Sequence, residues 1–593
     1  AEDHSSADEV LEVLRALKWR VAPGPDGVPG GLLKLLVTKD VDGAPMATDE
    51  EVQEAAEAIR DLTWAIFVVE GRIPECWDST TKPLWKKEGS KDPANIRPIA
   101  LQNAITKIPA AIIAKRLIHV FDKHQILHPA QEAFIKNGRS ENVLWTVLNI
   151  WSEARRRKSA YYNVMYDWIK AYDSLPWWAL ERAMDRLCIP PMIRKFVMGS
   201  LERARTRVRT AYGLTEWIYM LRGVKQGDPM APIAYIIAMD ILHDQVHHEV
   251  NGFKIGAITV ATKGYADDMW TGNDMWDRLA KGHAVIVKVC DFLEIGIHPQ
   301  KTALIGFEED GSPINLDREL PMPEGSPTLR ATHKPQKLLG LWVQPPDRWT
   351  AQEGVLGFMV HNTAMALRHS RLNLEQAVYA LRTYLWPKLA YRLRFFPLKQ
   401  ATARGWQQAL NNATTRLGGG TRRIKPEALA YAMDYPMLYV QATRALAMET
   451  CRRLESKGSS GVASRLHIQK DQSKGKELTG MRGTILKLHL GALRSMGLAL
   501  VWCRNKIPTP PSPDKPRKLV LDGKTVKIFA GNQGPPVQGW AEACVDGSLR
   551  KEDGHGHAGW AVIFVTDKLK QNWREWVRDA APCTYVKNLK RIQ

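Results

Sequence analysis

A chain of 593 residues is longer than one hydrophobic core ordinarily serves, so two or more domains are expected. Its apolar fraction of 45% is that of a soluble globular protein, and it holds no apolar run of about eighteen residues that could span a bilayer. The formal charge of +20 favours a polyanionic partner, with nucleic acid ahead of an acidic membrane because no basic amphipathic anchor stands out. The seven cysteines are scattered, which argues against a C-x-x-C zinc site or a disulfide framework and for reduced, mostly buried thiols. Residues 1–10 are acidic rather than Arg-rich and show no secretory or transit signal, so such a signal was cleaved or the sequence is a fragment; the compartment is unknown, with an intracellular one, nucleus or organelle, expected.

In chain order, Ala22-Pro23-Gly24-Pro25-Asp26-Gly27-Val28-Pro29 is a turn-rich entry to a helix over 31–37, and apolar residues at i, i+3, i+4 predict another over 50–70. Lys82-Pro83-Leu84-Trp85-Lys86-Lys87-Glu88 and Asn95-Ile96-Arg97-Pro98-Ile99-Ala100-Leu101 precede a basic helix over 107–117. Gln131-Glu132-Ala133-Phe134-Ile135-Lys136-Asn137-Gly138-Arg139-Ser140 comes next. Arg155-Arg156-Arg157-Lys158 marks the end of a helix, where its dipole alone favours cations, and gets no site role. Tyr161-Tyr162-Asn163-Val164-Met165-Tyr166 reads as a strand ending in Asp167, and Ala171-Tyr172-Asp173 lies just beyond. Strand periodicity puts Arg203, Arg205, Arg207 and Arg209 on one face, which either follows a polyanion backbone or is a solvated edge strand. Arg222-Gly223-Val224-Lys225-Gln226-Gly227-Asp228-Pro229 is a turn opening into an apolar segment over 233–242.

The stretch around which the rest is organised follows an apolar approach over 257–261: Gly264-Tyr265-Ala266-Asp267-Asp268-Met269, a β-hairpin with two adjacent acids at its turn. Like charges this close raise a pKa unless a cation neutralises them. Asp167 lies a hundred residues upstream. Two central strands that each bring a carboxylate to the same end of a sheet can hold two divalent cations roughly 3.5–4 Å apart, as phosphoryl transfer requires. A helix over 274–293 then leads to Gly296-Ile297-His298-Pro299-Gln300-Lys301-Thr302, a surface excursion over 308–335, and Lys337-Leu338-Leu339-Gly340-Leu341-Trp342-Val343. From 349 to 496 the pattern is helical and basic, with helices over 374–393 and 431–454, a break at Gly418-Gly419-Gly420 and a polar, mobile stretch over 456–476. Residues 508–516 form a stiff Pro-rich linker.

In this order the blocks resemble the reverse transcriptases of non-LTR (LINE-like) retrotransposons, strongly over 20–345 and weakly over the helical region, with one departure at Ala133, where the family usually has Gly. The resemblance implies an α+β right-hand polymerase fold. It gives an N-terminal extension and fingers over 1–160, a palm with part of the fingers over 161–345, a helical basic thumb and connection over 346–505, and a Pro-rich linker over 506–537. Further on, Ala543-Cys544-Val545-Asp546-Gly547-Ser548 and Trp560-Ala561-Val562-Ile563-Phe564 resemble the first hairpin of a ribonuclease H domain, which makes 538–593 an incomplete ribonuclease H-like α/β module. No nuclease activity is expected of it, because 584–589, where a second acid is due, has none.

The activity implied is an RNA-directed DNA polymerase working by two-metal nucleotidyl transfer. By resemblance, Asp167 and Asp267 hold two Mg²⁺ ions, Asp268 supports them, and Lys301 helps protonate the leaving pyrophosphate. Arg97 meets the incoming triphosphate, with Lys86 or Lys87 as weaker candidates. Tyr172 is the steric gate against a 2′-hydroxyl, and Gln226 and Gly227 position the template and nascent base pair. The partners implied are an RNA template with a DNA primer or an RNA–DNA heteroduplex, and no membrane. A competing reading is a domesticated, retroelement-derived RNA-binding scaffold inside a larger ribonucleoprotein. The truncated ribonuclease H stretch favours it; the three retained acids and Tyr172 oppose it.

Overall fold

The computed structural model describes residues 5–64, 77–417 and 438–495, apart from 39, 42–43, 46, 87–88, 90–91, 93–94, 203, 346–348, 457–458, 469–479 and 483; beyond 497 it describes six strands. At its centre lies a four-stranded antiparallel sheet in the order Thr262–Tyr265, Asp268–Asn273, Tyr161–Tyr166, Ala303–Phe307. Of the two inner strands, Tyr161–Tyr166 is buried along its whole length. Successive side chains of a strand point to opposite faces. Tyr162, Val164 and Tyr166 therefore join one hydrophobic core and Tyr161, Asn163 and Met165 face the other, where Tyr161 and Met165 pack.

On the first face the helices Ala231–Glu249 and Trp276–Phe292 cover the sheet. On the second lies the helix Ser140–Arg156, with every residue from Glu141 to Ala154 buried. A helix apolar on one stripe alone could not be enclosed this way. Here polar side chains are absorbed by partners: Trp151 and Trp270 both donate their indole N–H to Asn163 Oδ1 at 2.9 Å, and Asn149 donates to Ser464 Oγ at 2.8 Å.

A second sheet, order Ile96–Gln102, Ser79–Trp85, Arg205–Thr210, Gly213–Leu214, stands beside the first, with Ile218–Tyr219 also pairing Arg205–Thr210. The arginine strand is thus flanked on both sides, which corrects the solvated-edge alternative for that face. The basic helix expected over 107–117 runs on to His124. The later hairpin Gln336–Leu338 and Leu341–Val343 turns through Leu339 and Gly340, both at positive φ (47° and 84°), the pair of left-handed residues a two-residue hairpin needs.

The C-terminal helices include Thr350–Arg368, Gln400–Leu417, Leu438–Glu455 and Ile485–Ser495. The helix expected over 374–393 is three pieces, with a π-helical turn Leu381–Leu385 between Leu374–Ala380 and Trp386–Leu393. Within the stretch expected to be mobile, Ser459–Leu466 is a helix packed on Ser140–Arg156. Ser460, Gly461, Ala463 and Ser464 are buried, because small side chains let two helix backbones approach where polarity alone suggests a loop. The triple-glycine break at 418–420 and the Pro-rich stretch 508–516 lie outside the described residues. Inside the expected linker, Arg517–Leu521 and Lys524–Ile528 pair as a hairpin. Ala543–Asp546 pairs antiparallel with Trp560–Phe564, Asp546 opposite Trp560, in the same six-stranded sheet.

Candidate active site

Strand register decides where the acids meet. Met269 is opposite Tyr166, so one step further along the same pair Asp268 faces Asp167, and the two-residue turn Ala266-Asp267 closes the hairpin beside them. On the other flank Ala303 is opposite Met165, and the chain just before it brings Lys301 Nζ to 3.6 Å from Asp167 Oδ1. Backbone contacts fix that approach: the His298 N–H donates to Asp167 O at 2.7 Å, the Ile169 N–H to Gly296 O at 2.8 Å, and Thr302 Oγ1 accepts the Asp167 N–H at 3.2 Å. Asp167, Asp267, Asp268 and Lys301 therefore share one end of the central sheet.

The electrostatics follow from this crowding. Asp267 and Asp268 both still reach solvent, yet the surrounding protein removes part of their hydration. That loss of hydration, then the charges of Asp267 and Asp167, push the Asp268 carboxyl up to about 6. Asp267 is raised by the same two effects in the same order, against the opposing fields of Arg97 and Lys86. Arg97 is exposed on the strand Ile96–Gln102, across from Leu84, so a cation of the second sheet looks towards the acids of the first. Lys87 lies outside the described residues.

Tyr172 stands at the side of the acids, its ring stacked on that of Tyr235 with centroids 4.6 Å apart and planes at 16°. Burial, and then the charge of Asp267, push its hydroxyl up to about 12, so it stays protonated. The loop 222–228 ties this corner to the second sheet. The Val224 N–H donates to Tyr172 O at 2.8 Å and the Ala100 N–H to Gln226 O at 2.8 Å. The Gln226 side-chain amide donates to both Asp173 oxygens, at 3.1 and 3.2 Å. Gly227 has φ +122°, and a Cβ there would lie 2.7 Å from Ala100 O, so glycine is what lets this loop close on the strand. Sequence reasoning passed over Asp173, whose type carried no signal apart from its neighbour Tyr172.

The arginine strand behaves differently from the expectation. Arg205 forms a two-pronged ion pair with Asp78, Nη2 to Oδ2 at 2.6 Å and Nε to Oδ1 at 3.2 Å. Arg205 and Arg207 both lie over the Trp217 ring, at 4.9 and 4.1 Å from its centroid. Arg205 is paired within the protein and Arg207 packs on an aromatic face, while Arg209 is exposed and Arg203 lies outside the described residues. The alternation of the strand is real, but Asp78, distant in sequence, pairs Arg205, and Trp217, just beyond the strand, packs under Arg205 and Arg207, contacts that a four-arginine phosphate face leaves out.

Residues 85–343 match the family model for reverse transcriptases, RNA-dependent DNA polymerases. Over this segment the chain is similar to the reverse transcriptases of non-LTR retrotransposons. Relatives include Pol polyproteins of type-1 R2 retrotransposable elements from Popillia japonica and Nasonia vitripennis. The first is 27% identical over 56% of this chain and 46% of that protein, the second 29% identical over 44% and 23%. The type-2 R2DM polyprotein of Drosophila melanogaster is 26% identical over 63% of this chain and 33% of its own. The chain thus spans less than half the length of these relatives. A Candida albicans telomerase structure aligns over 71% of this chain and 71% of its own at 10% identity, with a TM-score of 0.33, too remote to inform the site.

The mixture of helices and sheets fits the α+β right-hand polymerase fold, and the acids lie at one end of its four-stranded sheet. Reverse transcriptases as a family use divalent metals. Among the described residues no three His, Cys, Asp or Glu side chains are already closed into a metal cage. The donor set nonetheless fits a hard divalent cation: three carboxylates at one sheet end, two of them raised by lost hydration and then by mutual repulsion, and the bound charge would offset both.

Proposed function

We propose that this chain is an RNA-directed DNA polymerase that extends a DNA primer on an RNA template. The observation that carries the reading is the register that sets Asp268 against Asp167 with Asp267 in the adjoining turn, under the field of Arg97. Asp167, Asp267 and Asp268 would hold two Mg²⁺ ions, whose part is to activate the primer 3′-hydroxyl and offset charge on the reacting phosphate. Everything else falls to the chain itself. Arg97, with Lys86 beside it, draws the triphosphate towards the acids through a planar fork suited to phosphate oxygens. Tyr172, stacked and protonated, occupies the space a ribose 2′-hydroxyl needs. Gln226, its amide N–H₂ turned to Asp173, keeps its carbonyl free towards the nascent base pair, and Gly227 lets the loop lie flat against the fingers strand. Lys301, already drawn to Asp167, is placed to give a proton to departing pyrophosphate.

Primer extension on an RNA template with Mg²⁺ tests this directly. Asp167→Asn or Asp267→Asn is expected to lower extension by about a thousandfold or more while RNA affinity stays nearly unchanged, since each removes a metal ligand and no phosphate contact. Undiminished extension in either variant overturns the assignment, and strong selective binding of one folded RNA without extension would favour the scaffold instead.

A further inference from the structure

Gln131 belongs to the segment between the helices Lys107–His124 and Ser140–Arg156, and only 2% of its surface is exposed. Its Oε1 accepts three backbone N–H groups: Ala133 at 3.0 Å, Glu132 at 3.1 Å and, from across the fold, Ala266 at 3.0 Å. Ala266 is the first residue of the catalytic turn and has φ +55°, a left-handed conformation that alanine adopts only when its surroundings impose it. The residue it delivers is Asp267.

The same segment is strapped to the hairpin in other ways that do not reach the turn. The Gly264 N–H donates to Ala130 O and the Glu132 N–H to Gly264 O, each at 2.9 Å. Lys263, itself buried, donates to Pro129 O and to the Glu132 carboxylate, both at 2.9 Å. These contacts hold the strand Thr262–Tyr265; the Gln131 oxygen alone among them grips the turn beyond it. Loss of that acceptor would leave the strap in place and free the turn.

We propose that Gln131 is a positioning residue for the polymerase reaction: its amide oxygen holds Ala266 in the left-handed conformation and so sets Asp267 and Asp268 against Asp167. The inference rests on the reading of these acids as catalytic. Gln131 acts on no substrate directly and works through the backbone of the turn.

Gln131→Met keeps the length of the side chain and removes the acceptor, whereas Gln131→Glu keeps an acceptor oxygen. Three quantities are measured in the full chain: amide hydrogen exchange at Ala266 and at Thr262 to Gly264, affinity for an RNA–DNA primer–template, and the extension rate at saturating primer–template. In the Met variant Ala266 is expected to exchange at least about tenfold faster, and extension to slow about tenfold to a hundredfold, with affinity and Thr262–Gly264 exchange unchanged. The Glu variant is expected to recover the Ala266 protection. Unchanged Ala266 exchange in the Met variant overturns the proposal. So does a rise that spreads equally through Thr262–Gly264, which would mark general loosening, or a full extension rate despite a freed turn. A wild-type chain that does not extend primers would instead overturn the polymerase reading, while the exchange comparison still decides whether Gln131 grips the turn.

Discussion

Tyr172 cannot swing aside, because its ring lies flat on Tyr235, which is fully buried. The role proposed for Tyr172, exclusion of a single oxygen atom, calls for a rigid side chain, and stacking on a buried ring favours that rigidity. Tyr172→Val is expected to raise use of ribonucleotides relative to deoxynucleotides by at least about tenfold, read from paired extension assays; an unaltered ratio would place the gate elsewhere. Single arginines can be sorted in the same way. Arg209 is exposed, so Arg209→Gln should lower the slope of log affinity against log salt by about 0.7–0.9 if it meets a phosphate. Arg205→Gln should leave the slope alone and lower the unfolding midpoint instead, since it abandons Asp78, only 8% exposed, without a partner. A slope change in the Arg205 variant would show that the ion pair opens for nucleic acid.

At the scale of elements, the back of the hairpin that carries Asp267 and Asp268 is packed on histidines. The His128 and His247 rings lie 4.4 Å apart, and His128 and His243 are stacked at 5.9 Å. His243 shares a hydrogen bond with Thr262 Oγ1 at 2.9 Å, and the Thr262 N–H donates to His247 Nε2 at 3.3 Å. Burial, then the neighbouring histidines and Lys263, hold His243 well below its ordinary value and bring His247 to about 4. A histidine lowered in the fold is favoured neutral, so its stabilisation is complete above the unfolded value near 6.5 and is lost as pH falls towards 4. Thermal unfolding should therefore show a loss of about 2 kcal/mol from His247 alone between pH 7 and 5. His247→Gln should flatten that slope; an equally steep slope in the variant would place the acid sensitivity elsewhere. No reading of the sequence brought these three together, since His128 lies more than a hundred residues from the other two. What the sequence did make legible was local: the strand Tyr161–Tyr166 from its apolar and aromatic residues ending in acid, the turn from Asp267-Asp268, the helix over 276–292 to within two residues. What stayed hidden depended on partners far along the chain. Asp78 for Arg205, Asp173 for Gln226 and Gln131 for Ala266 are polar pairings that leave no period in the sequence.

For the molecule as a whole, the hydrophobic core on one face of the palm does not stop where the family match stops. Trp145 and Trp151, from the helix Ser140–Arg156, pack in one cluster with Tyr161 and Trp270 of the sheet and with Phe395, Ala463 and Ile485 from the C-terminal helices. Trp145 also donates its indole N–H to Glu449 Oε1 at 2.7 Å, Arg453 lies 3.9 Å over its ring, and the Ile485 N–H donates to Ser152 Oγ at 3.0 Å. The segment 85–343, although it holds every acid of the site, is therefore not a module that can be lifted out. Expressed alone it would expose two tryptophans and a row of polar groups that the later helices satisfy, and it is expected to be recovered as aggregate, whereas a chain continued through 495 should be monodisperse in size-exclusion chromatography. A folded, soluble 85–343 fragment would refute this. A shuffling event that joined this segment to a foreign C-terminal region would have to carry the helices with it, so the unit of inheritance for this fold is larger than the unit of sequence recognition.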